Sequence, residues 1–119
     1  MKIEKLKKVL LNKLGTTEET PFGPGTMVYK VGGKMFALFG LKRDPIWLNL
    51  KCDPELALVL RLNHSAVIPG YHMNKEHWNT VILDDSIPES EVQKMIDHSY
   101  ALIVKSLPKN QQNQILHAG

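Results

Sequence analysis

Two adjacent glycines constrain this chain more than any other feature. Gly32-Gly33 separates the runs 26–31 and 34–41, both of strand length and rich in apolar residues. A two-residue hairpin turn needs positive φ at its central positions, and glycine adopts it without steric cost. The two runs are therefore expected to fold back on each other as antiparallel strands. In the first, Met27, Tyr29 and Val31 share one face by alternation. The second, Lys34-Met35-Phe36-Ala37-Leu38-Phe39-Gly40-Leu41, is apolar on both faces, which predicts a central strand. Asp44-Pro45 makes the next turn. Residues 46–51 then alternate again, with Ile46, Leu48 and Leu50 inward and Trp47, Asn49 and Lys51 outward. Three successive strands with short turns predict an antiparallel meander.

Helical signals flank these strands. Ile3, Leu6, Leu10 and Leu14, with Val9 beside them, recur at helical spacing over residues 2–14, and Gly15 is placed to cap the end. Residues 20–25 hold two prolines and two glycines and predict irregular chain. Asp53-Pro54-Glu55 combines a capping aspartate, a first-turn proline and an acid near the positive end of the helix dipole. That helix is expected to reach residue 62 and to bury Leu56, Val59 and Leu60. Pro69-Gly70 marks a turn, and residues 78–83 read as a further strand. Ser86 followed by Glu89 has the form of a capping box for a helix over 87–106. Val92, Met95, Ile96, Ser99, Ile103 and Leu107 form its inner stripe. Pro108 stops it, and the Gln/Asn-rich residues 109–119 are expected as a flexible tail. The outcome is one domain over residues 1–108, an α+β two-layer sandwich with a meander sheet packed by N- and C-terminal helices.

The chain has 119 residues, enough to bury a core without metals or disulfides. Its one cysteine, Cys52, allows no intrachain disulfide and fits a reducing compartment. Charges interrupt the apolar residues near Met1, and no run approaches the ~18 residues of a membrane span. A cytoplasmic protein away from membranes is expected. His72 and His77 are five residues apart, which does not match ligand spacing on one helix face, so no metal is expected. Cys52 precedes a helix start, yet the sequence places no base beside it, and a buried structural thiol is the expectation. Gly23-Pro24-Gly25 lacks the Gly-Lys-Ser/Thr ending of a phosphate loop. No catalytic set can be defended from spacing, so the expectation is a binding protein without a cofactor.

Charge and one dense loop supply the binding candidates. Residues 1–14 carry five lysines against Glu4, and residues 34–51 carry Lys34, Lys42, Arg43 and Lys51 against Asp44. Such clustering suits an anionic partner, but from charge alone a solvated helix face is the favoured reading. Residues 69–80 mix rings, amides, imidazoles and an ammonium group. Rings stack, amides read base edges and Lys contacts phosphate, so one reading is a surface for double-stranded DNA. Its contact residues would be Lys42, Arg43, Lys51, Asn74, Lys75 and Trp78. A second reading places a small-molecule or protein-binding pocket beside the loop, lined by Tyr71, His72, His77 and Asn79. A third makes the loop structural, with Asn74 capping a turn and Trp78 packed on the core. Strand rise separates the turn at residues 42–46 from Lys51 by roughly 17 Å, which predicts two basic sites rather than one patch. The site near Lys51 and Lys75 is the expected functional one.

Three blocks carry a wider resemblance. They are Pro21-Phe22-Gly23-Pro24 leading to Lys30-Val31-Gly32-Gly33-Lys34-Met35-Phe36-Ala37; Leu48-Asn49-Leu50-Lys51-Cys52-Asp53-Pro54-Glu55; and Pro69-Gly70-Tyr71-His72-Met73-Asn74-Lys75 with His77-Trp78-Asn79-Thr80. With Asp97-His98-Ser99-Tyr100, they make the chain resemble the MmcQ/YjbR family of small bacterial proteins from about residue 5 to 108. The resemblance implies a frataxin-like (CyaY-like) α+β fold and a DNA-binding role with a double-wing arrangement. It implies no catalytic residues. Frataxins bind iron through an acidic first helix, whereas the first helix here holds one acid and five lysines.

Overall fold

The structure is a computed structural model that describes residues 1–117. Its centre is a six-stranded antiparallel sheet. In chain order the elements are α1 (Ile3–Leu11), β1 (Thr16–Glu19), β2 (Thr26–Val31), β3 (Lys34–Gly40), β4 (Trp47–Lys51), α2 (Pro54–Asn63), β5 (Val67–Pro69), β6 (Trp78–Ile82), α3 (Glu89–Lys105) and α4 (Lys109–Leu116). The strands lie in the order β1-β2-β3-β4-β6-β5, so the first four form a meander and β6 inserts between β4 and β5.

The hairpin at Gly32-Gly33 forms as expected, with φ of 58° and 80°. Register then sorts side chains onto two faces. Tyr29, Ala37, Leu50 and Asn79 align across β2, β3, β4 and β6, and residues opposite one another point to the same side. This side carries Met27, Phe39, Leu48 and Val81 as well and is covered by the helices. α1 adds Leu6 and Leu10, both fully buried, and α3 adds Met95, Ile96 and Ile103. The other face presents Val28, Leu38, Asn49 and Thr80, and no helix among the described residues covers it. The result is the two-layer α+β sandwich.

The β3–β4 ladder is short, pairing only Ala37 with Leu50 and Leu38 with Asn49. The next pair would be Phe36 with Lys51. There the buried Ser99 hydroxyl of α3 inserts: it accepts from Lys51 N at 2.9 Å and donates to Phe36 O at 2.5 Å. His98 Nε2 accepts from Asp53 N at 3.1 Å, so α3 also holds the chain just past β4.

Several local expectations change. α1 ends at Leu11, not at residue 14, and Leu14 is exposed. β1 is an edge strand of mostly exposed Thr and Glu that alternation could not flag. The proposed capping box does not form. Ser86 bonds instead to Asp84 Oδ1 through both its N–H and its hydroxyl, at 3.0 and 2.6 Å. A residue before proline is biased away from helical backbone, so Ile87 stays outside and α3 starts after Pro88. α2 is capped by Asp53, whose carboxylate accepts from Leu56 N at 3.2 Å. Its buried residue is Ala57; Leu56 and Leu60 are half-buried, and Val59 faces solvent with Leu58 and Leu62. A small side chain lets the helix backbone approach the sheet, and Asn79 Nδ2 donates to Ala57 O at 3.5 Å. The expected flexible tail is helical over Lys109–Leu116, and Ile115 packs against the core beside Gly15. The rest of that tail, residues 118 and 119, lies outside the described residues. No helix among the described residues is long and apolar enough to cross a membrane.

Candidate functional site: a cleft on the open sheet face

The loop between β5 and β6 is held by its own polar groups. Asn74 Oδ1 accepts from Glu76 N at 2.9 Å and His77 N at 3.2 Å, closing an Asx turn. Lys75 Nζ donates to Gly70 O at 2.8 Å. Arg61 of α2, which sequence reasoning passed over, clamps the loop from outside. Its Nε donates to Asn79 Oδ1 at 2.7 Å, and its Nη2 donates to Lys75 O and to Trp78 O. Gly70 is required by contact: a Cβ there would lie 2.8 Å from Trp78 Cβ and 2.9 Å from Trp78 O. The Asn74 carbonyl oxygen and the Lys75 amine are therefore spent on the loop.

What the loop presents is Tyr71 and His72. Tyr71 N donates to Thr80 Oγ1 at 2.9 Å, and Thr80 Oγ1 donates to Asn49 Oδ1 at 2.6 Å. That chain ties the loop to the floor of the open face. His72 sits at φ 59°, a conformation non-glycine residues adopt rarely, with its ring 4.1 Å from that of Tyr71. Such geometry persists only where surroundings over-determine it. Trp47 meets Tyr71 edge to face, with centroids 5.4 Å apart at 82°. Arg43 lies in the angle between them, its guanidinium carbon 4.0 Å from the Trp47 centroid and 5.3 Å from that of Tyr71. Phe22, Met35, Leu38 and Met73 complete a cleft of about 410 Å³.

The sequence candidates thus separate. Arg43, Tyr71 and His72 meet at the cleft, joined by Trp47, Asn49 and Phe22, which had not been singled out for a site. Asn79 is buried on the helix side under Arg61, and His77 is exposed on the loop, so neither lines the cleft with Tyr71. Lys51 ends β4, four residues from Trp47 and roughly 13 Å along the strand. It pairs with Trp78 across the sheet, while the Lys75 amine is taken by Gly70 O. Lysines of the first segment are partly used too: Lys5 pairs with Glu89 and Lys13 with Asp97. No group of three or more His, Cys, Asp or Glu gathers among the described residues.

A second cavity of about 200 Å³ lies on the helix side between α2 and α3, lined by Leu50, Leu60, Val81 and Met95 with Cys52 and Asn79. It has half the volume, and two of its polar groups are already bonded, Asn79 to Arg61 and His98 to Asp53 N, while Lys51 also lines it. Burial, helped by the neighbouring Asp53 charge, pushes the Cys52 thiol up to about 11. A thiol so placed is not a nucleophile at neutral pH.

A family model described as YjbR matches residues 11–102. The chain belongs to the YjbR family. It is 39% identical over 95 residues to YbdF of Escherichia coli O157:H7, covering 80% of this chain and 78% of that protein. It is 39% identical over 87 residues to YjbR of E. coli K12, covering 73% and 74%. Both are described as uncharacterized proteins. Among solved structures, Deinococcus radiodurans DR2400, with a DUF419 domain, superposes with a TM-score of 0.89 at 35% identity. That match covers 95% of this chain and 86% of DR2400. A Pseudomonas syringae protein, structural-genomics target PsR293, gives 0.75 at 29% identity over 87% of this chain and 99% of its own. The YjbR match takes in all six strands and hence the whole lining of the cleft, from Phe22 to Met73.

Proposed function

We propose that this YjbR-family protein is a binding module for a small molecule held in the open-face cleft. The observation that carries this reading is the shape: a concave, ring-lined cleft of about 410 Å³, within the size range of ligand pockets. Its walls are pre-positioned, because Tyr71 is bonded through Thr80 to Asn49 in the sheet. Binding sites held on a rigid scaffold lose less entropy when a ligand arrives. A screen of ring-containing fragments, read by backbone amide shifts, tests it. Saturable shifts at Trp47, Asn49 and Tyr71 are the expected result. A screen that moves no cleft residue removes the proposal.

The family resemblance also supports DNA binding, and one observation favours it: among the described residues, Lys42, Arg43 and Lys51 form no ion pair with a carboxylate. Three phosphate contacts to duplex DNA give a log–log salt slope of about −2.7. Affinity for random duplexes across a salt series measures it. Absence of binding at low salt ends this second reading.

A further inference from the structure

The geometry points to a planar aromatic acid, a ring system bearing one carboxylate or phosphate, as the ligand of the open-face cleft. This rests on the cleft being a small-molecule site and specifies what that molecule carries.

The acid follows from Arg43. Its guanidinium lies 4.0 Å over Trp47 and 5.3 Å from Tyr71, held by ring faces rather than by a carboxylate. Stacking engages the flat face of a guanidinium, whereas its N–H groups radiate in plane. Among the described residues no carboxylate lies within ion-pair distance of those N–H groups. The side chain is thus a pre-aimed donor fork at the cleft mouth, and such a fork matches an oxyanion with two acceptor oxygens.

The ring follows from the walls. Phe22, 66% exposed, lines the cleft together with Met35, Leu38 and Tyr71. Rings and thioethers favour contact with a flat π-surface. The floor adds one polar feature. Asn49 Oδ1 is taken by Thr80, but its Nδ2 makes only a long 3.4 Å contact with Leu38 O. One amide N–H is left to meet an acceptor on the ring system. The volume suits one or two fused rings.

The test titrates the full chain with 2-naphthoate, 2-naphthyl phosphate and 2-naphthamide, following amide shifts and calorimetry. At least one acid is expected to saturate with shifts at Trp47, Asn49 and Tyr71, and the tighter of the two names the acid. The neutral amide is expected to bind at least about tenfold more weakly, the effect of one lost charge-assisted hydrogen bond. Arg43→Gln is expected to remove that difference while leaving the melting temperature unchanged, since Arg43 is exposed. Equal binding of acid and amide at the cleft overturns the acid and leaves the small-molecule reading standing. An Arg43→Gln protein that still prefers the acid overturns the role of Arg43. No cleft shifts from any probe overturn both readings. A single-stranded oligonucleotide that binds more tightly than either acid overturns the proposal in favour of nucleic acid.

Discussion

The ladder between β3 and β4 stops one pair short of Phe36 and Lys51, and the Ser99 hydroxyl takes both backbone groups left over. Ser99→Ala removes the partner of a half-buried donor, Lys51 N, and of a buried acceptor, Phe36 O, at once. Each unsatisfied group costs about 1–3 kcal/mol, so urea unfolding is expected to show a clear loss of stability with an unchanged m-value. A change within error would show that the strands close up without it. Cys52 carries a different kind of prediction. Its folded-state value is raised to about 11 from 9.0, so the native state holds the proton more tightly than the unfolded chain does. That contribution is complete below pH 9 and is lost as pH rises toward 11. The buried Tyr29 phenol, raised by burial and by donating to Glu18, acts in the same direction above pH 10. Stability is expected to fall across this alkaline window, and Cys52→Ala is expected to flatten the part of the curve nearest pH 9–11. A curve identical to that of the parent protein would remove Cys52 from the account.

At the scale of elements, the loop 70–77 is braced by its own Asn74 and Lys75 and clamped in addition by α2. Arg61 reaches Asn79 Oδ1 and the carbonyls of Lys75 and Trp78. Arg61→Met keeps most of the apolar stem and deletes these bonds. Amide exchange is then expected to quicken at Tyr71–His77, while β2, β3 and α3 stay protected. Cleft ligands should weaken with it, because Tyr71 is carried by this loop. Uniform quickening across the sheet would instead mean that Arg61 supports the global fold. α1 and the turn after it are tied to α3 in a similar way: Lys5–Glu89 and Lys13–Asp97 join residues 84 apart in sequence. Exposed pairs of this kind contribute little energy each, but they take lysines away from any anion-binding surface.

For the whole molecule, the helices cover one face of the sheet and leave the other to the cleft. α4 extends the covered side, with Ile115 against Gly15, at 3.3 Å from where a Cβ would sit. A chain ending at Pro108 is expected to fold, because none of the α4 residues is fully buried. It loses the half-buried Ile115 contact, worth about 1–2 kcal/mol by apolar area. That corresponds to a drop in melting temperature of roughly 4–12 °C for a domain of this size. An unfolded truncated chain would place α4 inside the minimal folding unit. Ligand affinity at the cleft should be unchanged by the truncation, since α4 contributes no lining residue.

The parts of this molecule that depend on neighbours in the chain were readable from residue order. Gly32-Gly33 sets a hairpin because only two backbone angles are at stake. Alternation in residues 46–51 assigned Leu48 and Leu50 to the core and Trp47 and Asn49 to the other face, as the register shows. Asp53-Pro54 began a helix for equally local reasons, whereas Pro108, read only as a stop, lies past the end of α3 at Lys105 and is the N-cap of α4. The cleft was not readable in this way. Arg43, Trp47, Tyr71 and Phe22 come from different strands and turns, and no periodicity connects them. β1 has no apolar pattern of its own and is a strand because β2 offers it a free edge. Asn74 and Lys75 looked like recognition groups by composition, but they make the loop's own local bonds, Asn74 capping a turn as the structural reading of the loop had it. Residue order settles backbone angles and the buried face of each segment, which cost or gain energy locally. Which polar groups remain available for a partner depends on what the rest of the chain brings within 3 Å of them, and that is decided only on folding.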